Sequence, residues 1–328
     1  MKERINASMT LTETSADGRK TLVRVRPRGF CAGVVRAVDI VELALQAYGP
    51  PVYVHHEIVH NRHVVDQLRT RGAIFVEAVS EVPEGAVLIF SAHGVPPRVR
   101  EETAERRLRI VDATCPLVTK VHLEAQKYAR EGRTIILIGH RDHQEIVGTS
   151  GEAPSQTLVV GSVEEVDEVK VPDPAKLAYL TQTTLSLYDT QEIVARLKQR
   201  FPQIVGPRSS DICYATQNRQ EAVEQLAQAV ELLLVVGSAN SSNSNRLVEV
   251  AQRCGVPARL IEDEHDLRPE WFENVSRVGL TAGASAPEVL VQQVSERLAQ
   301  LGFNDQQDLD LIGEDVRFTL PAELVALG

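Results

Sequence analysis

Short apolar runs along the chain alternate with longer stretches of helical periodicity. Thr21–Arg26 is β-branched and apolar, and Pro27–Cys31 after it is a glycine-containing loop. Gly33–Tyr48 follows, with Val34, Val38, Val41 and Leu45 at the spacing of one helix face. The same order recurs at Ala86–Phe90 with Ser91–Pro97, at Thr134–Ile138 with Gly139–Thr149, at Glu231–Val236 with Gly237–Asn245, and at Val275–Leu280 with Thr281–Pro287. Short strands alternating with amphipathic helices predict an α/β fold of parallel sheets. In such sheets ligands sit at the carboxyl ends of strands, and there the unusual residues of this chain cluster.

Three cysteines mark a rhythm. Cys31, Cys115 and Cys213 recur at intervals of 84 and 98 residues, each just before a predicted helix. Three α/β units, each offering one thiol, fit one shared central site. The expected units are 21–114, 115–212 and 213–302. Residues 303–328 form a tail with a possible strand at Val316–Leu320, packing back on the body across the first unit. Residues 1–20 lack an apolar segment and mix both signs of charge. They read as a disordered leader, not as a signal or transit peptide.

Composition narrows the classes. The chain has 328 residues, 43% of them hydrophobic, enough for a substantial core in two or three domains. Its formal charge of −10 opposes nonspecific binding to nucleic acid or anionic membranes. Aromatic residues are scarce at 4%, so stacking platforms for single strands are few. No apolar run approaches the roughly 20 residues of a membrane span. A cytoplasmic setting is expected, where thiols stay reduced and serve as ligands or spectators.

The cysteines sit at predicted helix starts, where a thiol is expected to ionise more readily. No C-x-x-C pair occurs, which argues against a zinc ribbon or a thioredoxin-type dithiol. Cys254, late in a predicted helix without polar company, reads as a small buried hydrophobe. Histidines crowd loops after strands, at His55-His56-Glu57-Ile58-Val59-His60, at Ser91-Ala92-His93, and at Gly139-His140-Arg141-Asp142-His143. An imidazolium can neutralise an anion, and an imidazole can ligate a metal. The sequence alone does not separate these roles. Gly237–Asn245 carries seven Ser and Asn residues in nine positions at a helix start. One cap needs one such residue, so the excess points to an anion site. Ser285-Ala286-Pro287-Glu288 reads as a capping box, and Thr181–Ser186 as a cap cluster for a helix from about Asp189. Glu145, beside His143, is a candidate proton carrier.

Taken together, these segments resemble the 4-hydroxy-3-methylbut-2-enyl diphosphate reductases, the IspH/LytB family. The matching stretches are Pro-Arg-Gly-Phe-Cys-Ala-Gly at 27–33, Val-His-Asn-Arg at 59–62, Phe-Ser-Ala-His-Gly-Val at 90–95, Asp-Ala-Thr-Cys-Pro-Leu-Val at 112–118, Thr-Gln-Thr-Thr-Leu-Ser at 181–186, Asp-Ile-Cys-Tyr-Ala-Thr at 211–216, Asn-Ser-Ser-Asn-Ser-Asn at 240–245 and Thr-Ala-Gly-Ala-Ser-Ala-Pro at 281–287. They are collinear and cover about Leu22 to Gly302.

The resemblance implies three α/β domains in a trefoil around one [4Fe–4S] cluster on Cys31, Cys115 and Cys213, with a fourth iron open to substrate. It implies reductive dehydroxylation of the allylic diphosphate to isopentenyl and dimethylallyl diphosphate. His60, His93, His143, Ser241, Ser242, Asn243 and Ser285 would hold the diphosphate. Thr183 would orient the substrate hydroxyl, and Glu145 would supply the proton. An external donor such as ferredoxin or flavodoxin would bring electrons. The family's usual His-Pro-Glu is His143-Gln144-Glu145 here, so a less rigid loop is expected. His55 has no assigned role. The rivals are a non-redox hydro-lyase or isomerase with an open iron, which would need no reductant, and a non-enzymatic sensor, which would not need Glu145.

Overall fold

The protein is described here by a computed structural model covering residues 19–325. The expected leader at 1–20 lies outside these residues up to position 18. Among the described residues, twelve strands fall into three sheets in which every paired neighbour is parallel. After β1 (Thr21–Arg26) and α1 (Ala32–Tyr48), the chain builds the first sheet from β2 (Val52–His55), β3 (Ala73–Val76), β4 (Val87–Phe90) and β5 (Arg109–Asp112), ordered β3-β2-β4-β5. Helices α2 (Arg62–Thr70) and α3 (Pro97–Glu105) connect these strands. Helix α4 (Pro116–Arg130) leads to β6 (Thr134–Ile138), α5 (Gln144–Gly151), β7 (Thr157–Val160), α6 (Val163–Glu168) and β8 (Leu177–Thr181). The second sheet is ordered β7-β6-β8.

Helices α7 (Leu187–Arg200) and α8 (Tyr214–Ala227) precede β9 (Leu232–Val236), α9 (Ser242–Arg253), β10 (Ala258–Ile261), β11 (Arg277–Ala282), α10 (Glu288–Gln300), β12 (Asp305–Asp310) and α11 (Ala322–Val325). The third sheet is ordered β10-β9-β11-β1-β12. The periodicity explains these elements. Strand β9 is Leu-Leu-Leu-Val-Val and buried throughout, as a strand covered on both faces must be. Helix α1 buries Val34, Ala37, Ile40, Val41, Ala44 and Leu45 on one stripe.

Two expectations about organisation are corrected. Thr21–Arg26 does not join the first unit's sheet; it lies between β11 and β12, with Thr21 opposite both Arg277 and Asp305. Parallel pairing needs a long crossover, and the whole body of the chain supplies it, so the first strand completes the last sheet. The possible strand at Val316–Leu320 does not form. The pairing strand of the tail is β12, earlier and acidic, held by Arg24 donating from Nε and Nη2 to Asp308 at 2.9 Å each. Beyond it the chain has no regular structure until α11, and Leu320 and Leu324 pack into the first unit's core.

The parallel sheets present their carboxyl ends to one centre. Cys31 follows β1, His60 follows β2, His93 follows β4, Cys115 follows β5, His143 and Glu145 follow β6, Thr183 follows β8, Ser241–Asn243 follow β9 and Ser285 follows β11. Cys213 arrives at the start of α8.

Candidate active site

All twelve residues singled out in the sequence line one cavity with about 670 Å³ free of protein atoms. Its three cysteines are the N-cap residues of α1, α4 and α8. Cys213 Sγ accepts from the Thr216 backbone N–H at 3.4 Å and stands 3.2 Å from Thr216 Oγ1. Gly33 makes room for the sulfurs: a Cβ there would come within 2.8 Å of Cys115 Sγ and 3.8 Å of Cys31 Sγ. The helix N-termini were expected to make these thiols acidic. Burial wins instead, pushing Cys115 up to about 12 and Cys213 up to about 11, and the neighbouring sulfurs push the same way. Sulfurs gathered like this become thiolates once a cation sits among them.

The spacing of the sulfurs bears on which metal suits them. Among the described residues, the one group of three His, Cys, Asp or Glu ligand atoms within 4.8 Å of one another is Asp263, Glu264 and His265, on a surface turn outside the cavity. Thiolates on a single tetrahedral zinc stand about 3.8 Å apart. The three cysteine sulfurs do not all lie within 4.8 Å of one another, and three thiolates converging on one cavity fit an iron–sulfur cluster.

A second wall carries imidazoles, hydroxyls and an amide. The His60 and His93 rings stack with centroids 4.0 Å apart, and His143 stands edge-on to both at 5.5 and 6.0 Å. Burial holds His93 well below the usual imidazole range and lowers His143 to about 3, with the other histidines adding to both shifts. These two rings are neutral until an anion arrives, not standing imidazolium ions. Both ring nitrogens of His60 and Nδ2 of Asn243 are buried without a hydrogen bond, and His60 Nδ1 is 3.5 Å from the Glu57 carboxylate, too far for a good one. Asn243 Oδ1 is engaged, accepting from the Ala284 N–H at 2.8 Å.

The Ser/Asn loop caps a helix at the cavity wall. Ser241 caps α9, accepting from Ser244 N–H, and Ser242 Oγ donates to Thr184 carbonyl while accepting from Gln182 Nε2. The capping box at Ser285 does not form. Pro287 is the N-cap of α10, without a side-chain cap, and Ser285 Oγ donates instead to the His60 carbonyl at 2.8 Å. The hydroxyl ties the third unit to the first at the cavity wall.

The Glu145–Thr183 pair belongs to the second unit. Glu145 is buried, and its carboxylate accepts from the Thr183 N–H at 2.9 Å and from Thr183 Oγ1 at 2.9 and 3.0 Å. Burial raises its pKa, and the Thr183 hydrogen bonds only partly oppose this. Gln144 occupies the first position of α5, where proline is favoured. The helix begins there nonetheless, because His143 Nδ1 accepts from the Glu145 N–H at 3.1 Å.

Some residues went unforeseen. Gln182 is buried beside the cavity, accepting from His140 N–H and donating to Thr184 Oγ1 and Ser242 Oγ. Thr216 touches the Cys213 sulfur, and its signal was its position three residues after that N-cap. Cys254 is not a buried hydrophobe; it is exposed at the end of α9. His55 is buried at the end of β2 and does not line the cavity.

Known proteins resemble this chain in sequence and fold. The LytB protein family model matches residues 22–299. The 4-hydroxy-3-methylbut-2-enyl diphosphate reductase of Aromatoleum aromaticum is 55% identical over 305 residues, covering 93% of this chain and 98% of that protein. The solved E-1-hydroxy-2-methyl-but-2-enyl-4-diphosphate reductase of Plasmodium falciparum superposes with a TM-score of 0.91 at 44% identity, over 94% of this chain and 98% of that one. A second solved reductase, described as the terminal enzyme of the non-mevalonate pathway, matches with a TM-score of 0.61 at 32% identity, over 86% of this chain and 99% of that one. With the collinear cysteine loops, the shared cavity and these matches along nearly the whole chain, the protein belongs to the LytB family.

Proposed function

We propose that this chain reduces (E)-4-hydroxy-3-methylbut-2-enyl diphosphate to isopentenyl and dimethylallyl diphosphate, the last step of the methylerythritol phosphate route. The observation that carries this is the buried Glu145–Thr183 pair sharing one cavity with three N-cap cysteines, in a chain of this family. Cys31, Cys115 and Cys213 would hold one [4Fe–4S] cluster per chain, which when bound supplies one-electron transfer and a Lewis-acidic iron.

The chain's own residues do the positioning and the proton work. His60 Nε2 and Asn243 Nδ2 are buried without a hydrogen-bond partner in the protein, and His93, His143, Ser241, Ser242 and Ser285 complete a wall for the diphosphate. An anion there stabilises the charged form of the imidazoles. Glu145 keeps a proton on its carboxyl because burial disfavours the carboxylate. Thr183 holds that carboxyl in place, and Glu145 passes the proton to the substrate hydroxyl oxygen as the C–O bond breaks. Overall the substrate takes up two electrons and two protons and releases water. The electrons call for an external donor, ferredoxin or flavodoxin, and a cytoplasmic setting suits such a donor. Among the described residues, no helix is long and apolar enough to cross a membrane.

The test is iron and acid-labile sulfide on protein prepared without oxygen, followed by a diphosphate assay with and without reductant. About four of each per chain and reductant-dependent turnover are expected. Stoichiometric zinc, or turnover without reductant, would overturn the proposal, the latter in favour of a hydro-lyase.

A further inference from the structure

Two arginines outside the cavity tie the cysteine loops together, and both are bound by the same C-terminal segment. Arg219 lies on α8, the helix capped by Cys213, and is completely buried. Its Nε and Nη2 donate to the Gly29 carbonyl at 3.2 and 2.7 Å, in the loop that delivers Cys31. Gly29 has a φ of +68°, so that loop turns where a side chain would be strained. Arg219 Nη1 donates to both carboxylate oxygens of Glu314 at 3.0 and 3.2 Å, and Asn218 Nδ2 donates to the same carboxylate.

Arg36 repeats the device one unit on. It lies on α1, the helix capped by Cys31. Its Nη1 donates to the Thr114 carbonyl at 3.1 Å, immediately before Cys115, and its Nε donates to the Thr319 carbonyl at 2.8 Å. The chain between Leu311 and Arg317 has no regular structure, and Glu314 is the one residue in it that is not exposed. A buried guanidinium without an anion is costly, so Arg219 needs Glu314 in place. Neither arginine touches the cavity, and the chemistry above does not use them.

We propose that residues 311–320 are a latch on the three-cysteine site: through Arg219 and Arg36 they fix the spacing of the three sulfurs and set how long a bound cluster survives oxygen. This rests on the cluster proposed above. The test compares wild type with Glu314→Gln, Arg36→Lys and a control, Val166→Ala, in the second unit's core. Each full-length chain is loaded with iron and sulfide without oxygen. Iron per chain, Tm, and the decay of visible absorbance in air are then measured.

Glu314→Gln is expected to load like wild type and bleach about tenfold faster, equivalent to ~1.4 kcal/mol of lost hold. Arg36→Lys should bleach faster as well, and it carries the test if Glu314→Gln does not fold. Val166→Ala should bleach at the wild-type rate even where its Tm is lower. Wild-type bleaching in both latch variants, or bleaching that follows Tm equally in the control, would overturn the latch alone. A wild-type chain that takes up no iron would sink the proposed function and the latch together.

Discussion

Around the central cavity, Glu145 receives three hydrogen bonds from Thr183, whereas His60 makes none through either ring nitrogen. Both belong to one site, and the contrast separates two ways of building it. A catalytic carboxyl must be in position before substrate arrives, so the protein satisfies it internally and burial sets its proton affinity. A ligand-binding wall gains most when its donors are unengaged, because each hydrogen bond to a charged ligand then adds to affinity. The cysteine wall is a third case, since desolvation and neighbouring sulfurs raise the pKa of Cys115 and Cys213. The contrast holds for Glu145 against His60 and Asn243 Nδ2, whereas Ser241, Ser242 and Ser285 on the same wall are engaged within the protein.

Substitutions at each wall can break this contrast. The largest effect is expected at the sulfurs. Cys213→Ser should lose iron binding and all turnover, seen as iron per chain after anaerobic loading. Glu145→Gln comes next: turnover should fall by ~10²–10⁴-fold with iron content unchanged. Near-wild-type turnover in that variant would remove Glu145 from the proton step.

The pH dependence of the wild type sharpens the same point. As the proposed proton donor Glu145 would work in its protonated form, and burial raises its pKa. Turnover should therefore hold at low pH and fall as pH rises through a value above the ordinary glutamate range. Flat behaviour there would assign the proton elsewhere.

Smaller still, His60→Ala should raise KM by about 10–100-fold with a modest change in kcat, as expected for one hydrogen bond to a charged group. A loss in kcat alone would move His60 from the binding wall to the chemistry. Cys254→Ser, at an exposed position outside the cavity, should change neither iron content nor rate.

Much of this was legible before any coordinates. Hydrophobic periodicity gave the parallel α/β grammar, because strand and helix periods are local properties of the chain. The positions of Cys31, Cys115 and Cys213 before helices followed from loop residues beside apolar runs, and all three prove to be N-caps. The excess of Ser and Asn at 237–245 marked a stretch that lines the cavity, for the same local reason.

What depended on distant partners could not be read this way. The pairing of β1 with β11 and β12 joins residues at opposite ends of the chain. Ser285 looked like a cap, and only the approach of the first unit gave its hydroxyl the His60 carbonyl instead. Helix N-termini suggested acidic thiols, but burial by converging units reversed the direction at Cys115 and Cys213. Local sequence determines which backbone conformations and caps are available. Desolvation and long-range hydrogen bonding arise only when separate elements meet, so the tertiary structure alone decided the thiol ionisation, the bonding of Ser285 and the tie from the tail to the cysteine loops.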